Sequence, residues 1–225
     1  MDVEKIGRQI ELHYHHAFNK KVYLQSKYSW KEDDARLTVF AKISNVLSSA
    51  NLGYFLMYSY LQKKDWWKQY QQLEVTELSI KSSIEEFEMF FRIGLIHNIM
   101  YGVESSFRIY VRTIDPQVCN KGMAEFKSIY EWLLKKLNLQ ANLPLLDLWR
   151  NIRNAMHNNG LFFPTNGKNQ TVVYGGISYN FEVGKHNDFV TTELIISLIP
   201  SLTKVVEDIV ESLPLKDINY IAEIS

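Results

Sequence analysis

The chain is poor in everything that staples or bends a polypeptide. Cys119 is its one cysteine in 225 residues, so no disulfide can close within it. Ten glycines and five prolines are few for this length. Tight turns are therefore scarce, and long helices are favoured over many short strands. Charge of one sign is missing too, because 25 Lys and Arg balance 25 Asp and Glu. This balance excludes a histone-like wrapper of nucleic acid, so any nucleic-acid site has to be local. Thr192 to Ser225 carries two Lys against six Asp or Glu, which makes that end a poor partner for phosphate.

Long apolar runs are absent. The best stretch, Leu194 to Ile199, ends at Pro200, far short of the roughly 20 residues that a membrane helix needs. No charged-then-apolar leader opens the chain. The expectation is a soluble, cytoplasmic protein that does not enter a membrane. There is no Gly-rich phosphate loop and no Ser or Cys nucleophile motif. His13, His15 and His16 cluster in HYHH, but no Cys or second His cluster completes a zinc set of about four ligands. His97 and His186 stand alone in the sequence. Neither a metal nor a cofactor is expected.

What the chain has is bulk. Hydrophobic residues make up 46% of it, with 13 Tyr, 12 Phe and 5 Trp, enough for a sizeable core and too many for disorder. Apolar residues recur at helical spacing over most of its length. Helices are expected from Glu4 to about Tyr28 and from Asp33 or Asp34 toward Gln62, the latter with a possible break at Asn51 to Gly53. A third long tract, Ser82 to Ile114, has capping-box candidates in Ser82 with Glu85 or Ser83 with Glu86 and a stop at Asp115-Pro116. Helices also read from Gly122 to Leu139, across Leu145 to Gly160, and from Phe189 to Leu213 with a possible kink at Pro200. Between the last two, TVVYGGISYNFEV changes period, and its Gly175-Gly176 pair signals a β-hairpin. The remainder is a short tail. A single domain spanning residues 1–225 is expected: mainly α, a helical bundle with one inserted hairpin at about 169–185.

One helix has an unusual polar face. In LLDLWRNIRNAMHNNG, Leu145, Leu148, Trp149, Ile152, Ala155 and Met156 form one apolar arc at about 100° per residue. Arg150, Arg153, Asn154 and His157 gather on the opposite arc, with Asp147 near the start and Gly160 suited to the end. A solvated face usually mixes Lys, Glu and Gln. Two guanidiniums, an imidazole and an amide can instead bind a phosphate and move a proton. Asn151 lies about 100° away, placed to reach a neighbouring element or to steer Arg150. The same residues also fit a solvated face, with Arg153 and His157 favoured near a helix C-terminus by the macrodipole. On the long middle helix, Glu104, Arg108 and Arg112 recur every four residues. They fit either a surface ion-pair ladder or a Glu104 that turns toward Arg150. Trp66-Trp67 with Tyr70 offers aromatic faces to stacked bases, although adjacent aromatics on a helix point about 100° apart and one of the pair belongs in the core.

Arg150-Asn151-Ile152-Arg153-Asn154-Ala155-Met156-His157 resembles the signature of the HEPN superfamily (higher eukaryotes and prokaryotes nucleotide-binding domain). That signature is an Arg with a polar residue just after it and a His further on, with four to six residues between the Arg and the His. The spacing here is at the long end, and the run Asn158-Asn159-Gly160 closes the helix. The resemblance implies an up-and-down helical bundle that dimerises so that two motifs line one cleft. It implies a metal-independent endoribonuclease of the toxin or antiviral-defence type. His157 would assist attack of a ribose 2′-hydroxyl on the adjacent phosphate, leaving a 2′,3′-cyclic phosphate and a 5′-hydroxyl. Arg150 would stabilise the charge that builds on phosphorus. Asn151 would hold substrate or orient Arg150, and Arg153, Asn154 and Glu104 would complete the binding surface. Expected partners are RNA or nucleotide, a second copy of the chain, and a cognate antitoxin or inhibitor. The alternative is a non-catalytic helical module that binds nucleotide, RNA or a protein through the same face. The inserted hairpin lies outside the minimal family pattern.

Overall fold

The computed structural model describes residues 3–71, 76–118 and 125–223. Among them are seven α-helices and one two-stranded antiparallel sheet. Helix α1 (Val3–Tyr28) and helix α2 (Ala35–Leu56) form the most extensive helix pair. Ile6, Ile10, Ala17 and Leu24 of α1 meet Leu37, Phe40, Ile43 and Leu47 of α2 in the buried core. Asp34 caps α2, its side chain accepting from the Arg36 N–H, as an acidic N-cap should.

The expected break at Asn51 to Gly53 does not occur, and α2 runs on to Leu56 before a π-helical turn at Met57–Leu61. Ala50, Tyr54 and Met57 carry its buried face through the glycine, and packing outweighs the modest helix penalty of one Gly. After the turn comes α3 (Lys64–Gln71). Trp67 is its core aromatic, with Nε1 donating to the Leu61 carbonyl at 2.7 Å. Trp66 is half-buried, and the Tyr70 side chain lies outside the described residues.

Helix α4 (Glu77–Ile114) has 38 residues, about 57 Å at 1.5 Å per residue. It starts before the expected Ser82. Thr76 is the cap, its side chain accepting from the Ser79 N–H at 3.1 Å, and Ile80 already lies in the core. Ser82 and Ser83 are interior helical residues, so neither nucleates a capping box. Its end at Asp115 is as the sequence predicts. Helix α5 (Phe126–Lys136) lies within the expected Gly122 to Leu139 helix and ends three residues before the expected Leu139. Cys119 and the start expected at Gly122 lie outside the described residues.

Helix α6 (Leu143–His157) has Pro144 in its first turn, where a missing N–H costs nothing. Strands β1 (Gln170–Tyr174) and β2 (Ile177–Phe181) follow, in register from Gln170 opposite Phe181 to Tyr174 opposite Ile177. Gly175 and Gly176 have φ of 59° and 78°, the two positive values that a type I′ hairpin turn demands. Helix α7 (Thr192–Val210) runs through Pro200 and is capped by Thr191.

The segment after α7 is more than a tail. Ala35 N–H donates to the Ile221 carbonyl at 2.9 Å. The fully buried Arg36 guanidinium pairs bidentately with Asp34, at 2.8 and 2.7 Å, and donates to the Leu215 carbonyl at 2.7 Å. Trp30 covers it, 3.9 Å from the ring centroid. Every polar atom of this charge is met, which is what makes its burial tolerable.

Helix α4 is the hub that positions the candidate site. It packs against α2, α5, α6 and α7. No helix among the described residues is long and apolar enough to cross a membrane.

Candidate functional site

The apolar arc of α6 is buried as its periodicity predicts. Leu145, Leu148, Trp149, Ile152, Ala155 and Met156 all lie in the core. The opposite arc falls against α4 on one side and the hairpin on the other, and these two neighbours divide its polar residues between them.

Arg150 belongs to the hairpin side. Its Nη2 donates to Gln170 Oε1 of β1 at 3.2 Å and lies 3.8 Å from Asp147 Oδ1, one turn earlier. Asp147 in turn accepts from the Tyr130 hydroxyl of α5 at 2.5 Å. Burial, reinforced by the Asp147 carboxylate, pushes the Tyr130 phenol up, so it remains a donor. Arg150 is thus held by its own helix and by the hairpin. Glu104 does not pair with it, because Glu104 faces the other end of α6.

Arg153 belongs to the α4 side. Its Nη1 donates to Glu104 Oε2 at 2.7 Å, and Arg108 donates to the other oxygen of the same carboxylate at 2.6 Å. Glu104 therefore makes both the ladder contact along α4 and a bridge to α6. One carboxylate thus faces two guanidiniums.

His157 is the exposed last residue of α6. Its ring meets that of His97 on α4 edge to face, centroids 3.9 Å apart and planes at 74°. His97 does not stand alone, contrary to its place in the sequence. It is half-buried. Burial first, then His157 and Arg153, hold its imidazole below the usual histidine range. Glu104 opposite Arg153 and His97 opposite His157 define an antiparallel seam, since the order descends on α4 as it rises on α6.

Asn154 is half-buried, and its carbonyl accepts from Asn158 Nδ2 at 3.0 Å. Asn151 is buried, 1% exposed. Neither of its side-chain polar atoms has a hydrogen-bond partner among the described residues. It presents no surface from which to hold a substrate directly. The helix closes as expected: Gly160 donates to the Ala155 carbonyl at 2.9 Å with φ of 87°. A side chain at Gly160 would press within 3.1 Å of His186 Nδ1, and Asn187 Nδ2 donates to the Gly160 carbonyl at 3.1 Å. The α6 terminus is thereby pinned to the loop after the hairpin.

His97 is the site residue that sequence reading missed. The signal was present but faint. At 100° per residue, His97, Glu104 and Arg108 fall within about 40° of one another on α4, a polar stripe that matches the stripe on α6. In HYHH, His13 is half-buried, and burial with His16 nearby holds it below the usual range. Among the described residues no group of three His, Cys, Asp or Glu is placed to hold a metal.

Chemically, the seam offers an exposed imidazole, a second imidazole in contact with it, and guanidiniums within a turn or two. No family model matches the chain, and comparisons with curated proteins and with solved structures find no similar protein.

Proposed function

We propose that this protein is a HEPN-type, metal-independent endoribonuclease of the toxin or antiviral-defence class. One observation carries the reading. His157 emerges into solvent at the end of α6 with Arg153 one turn before it and Arg150 two turns before it on the same arc. A phosphodiester bound there meets cationic donors and a proton-transfer group together. His157 assists attack of the ribose 2′-hydroxyl on phosphorus, and guanidinium charge stabilises the transition state. The products are a 2′,3′-cyclic phosphate and a 5′-hydroxyl. Asn151, buried next to Arg150 in the chain, acts on the site only through packing.

A two-fold homodimer, the commonest soluble assembly, is part of the same reading. Phe55, Leu78, Phe90 and Tyr101 are each more than half exposed and offer apolar surface to a partner. A cognate antitoxin or inhibitor would cover the α6 terminus.

The second reading is a non-catalytic module that binds nucleotide or RNA. The engagement of Arg150 by Asp147 and Gln170, and of Arg153 by Glu104, favours it. RNA cleavage in EDTA separates the two. The enzyme cuts RNA and leaves cyclic phosphate ends, and His157→Ala does not. A binder retains RNA in a gel shift and cuts nothing.

A further inference from the structure

We propose that His97 is a second catalytic residue, and that His97 and His157 form a base-and-acid pair complete within one chain. This rests on the ribonuclease reading above and refines it. With a single histidine, His157 has to take the 2′-hydroxyl proton and later return it. With two, each transfer has its own ring.

The geometry points this way. Ring centroids 3.9 Å apart place the imidazoles in van der Waals contact. Two positive charges at that distance repel, which disfavours protonating both rings at once. In-line transphosphorylation needs one imidazole empty to accept and one charged to donate.

The surroundings decide which ring is which. The charged or titratable neighbours that move His97 are His157 and Arg153, both on α6. Arg153 is tied to Glu104, two turns along α4 from His97. Among the described residues no group on α2, α5 or α7, the other helices against α4, adds to this. Burial, with His157 and Arg153 beside it, disfavours charge on His97, which suits it to accept a proton, and the solvent-exposed His157 takes the donor's role.

The step then balances. His97 takes the 2′-hydroxyl proton as O2′ forms its bond to phosphorus. The bond from phosphorus to O5′ breaks, and His157 gives its proton to the departing O5′. The pair begins and ends with one proton, which solvent exchange returns to His157. Arg153, one turn from His157, faces the non-bridging oxygens.

The test is RNA cleavage by the full chain in EDTA, from about pH 5 to 9, comparing wild type with His97→Gln, His97→Phe and His157→Ala. The expected wild-type profile is bell-shaped. Both His97 variants should fall about 100-fold or more at the optimum and lose one limb of the bell. His97→Phe keeps a ring against His157 without a proton, and it carries the test if the glutamine variant fails to fold. Wild-type cleavage with an unchanged bell in a folded His97 variant overturns the proposal and leaves the ribonuclease reading intact. A uniform loss with the shape of the profile retained reduces His97 to packing and also overturns it. If wild type cuts no RNA, the ribonuclease reading falls and takes this assignment with it.

Discussion

Glu104 on α4 and Arg153 on α6 form a direct ion pair, 2.7 Å long, across the seam between the two helices. The same carboxylate holds Arg108 at 2.6 Å. A group that neutralises cationic charge at a candidate phosphate site should oppose binding while it supports the fold. Glu104→Gln should therefore separate the two effects. Unfolding in urea should show a loss of about 1.5–3 kcal/mol, the scale of hydrogen bonds to charged groups. Affinity for a short RNA, read by fluorescence anisotropy at fixed salt, should rise. Weaker RNA binding would place Glu104 on the substrate's side of the site.

At the α6 stripe, activity and stability should part by position. His157→Ala removes an exposed ring and should abolish cleavage with little change in melting. Arg150→Ala should reduce the rate by about 10²-fold, by analogy with the loss of other charge-stabilising donors. Arg150→Lys should not restore it, because an ammonium lacks the planar fork. Early melting of His157→Ala would make this face structural.

Asn151 and Ile152 are neighbours with opposite expectations. Ile152 is fully buried in the core, and Ile152→Ala should cost about 2–5 kcal/mol. Asn151 is equally hidden, but its amide has no partner among the described residues. Replacing it by Ala leaves a small cavity and removes an unmet polar group that itself costs about 1–3 kcal/mol. The two effects offset, and Asn151→Ala should lie within about 1 kcal/mol of wild type in chemical denaturation. A loss as large as that of Ile152→Ala would reveal a partner for the amide.

The hairpin turn should be sensitive to backbone and not to bulk. Among the described residues nothing lies within 4 Å of the place a side chain at Gly175 or Gly176 would take. Gly176→Val should nevertheless cost about 1–2 kcal/mol, the penalty of left-handed backbone for an L-residue. Gly175→Asn, which accepts positive φ in this turn type, should be tolerated. Since Gln170 of β1 accepts from Arg150, the valine variant should also loosen Arg150. Comparison of the two variants by hydrogen exchange across β1 and β2 checks this.

Acid should weaken the fold through two histidines. His13 and His97 both have imidazoles held below their ordinary value of 6.5, chiefly by burial. In the window below 6.5 the unfolded chain binds more protons than the native one, so stability rises with pH there. The contribution is complete above 6.5 and is lost as pH falls from it through the native values. Urea unfolding between about pH 5 and 8 should show this slope, and His13→Gln with His97→Gln should flatten it. An unchanged slope in the double variant would assign the acid sensitivity elsewhere.

How much of this was legible depended on the distance over which each feature is encoded. Helical spacing marked α1, α2 and α6, because burial of one arc repeats every few residues. The Gly175-Gly176 hairpin was legible because its turn type depends on two adjacent backbone angles. Boundaries were less so. Thr76 won the cap of α4 over Ser82 because Ile80 had core to fill, a fact outside any local window. The α6 stripe of Arg150, Arg153 and His157 was also local, a consequence of helix geometry alone.

Its partners were not. Arg36, unremarkable within a helical run, is buried against Asp34 only because Leu215 and Ile221 return to the start of α2. Glu104 chose Arg153 over Arg150, and His97 met His157, once α4 and α6 docked antiparallel. The amino-acid sequence by itself determined which residues share a face, because that follows from 3.6 residues per turn. Only the tertiary structure decided which faces meet. Docking two helices fixes a register between residues far apart in the chain, and packing of the whole core selects that register.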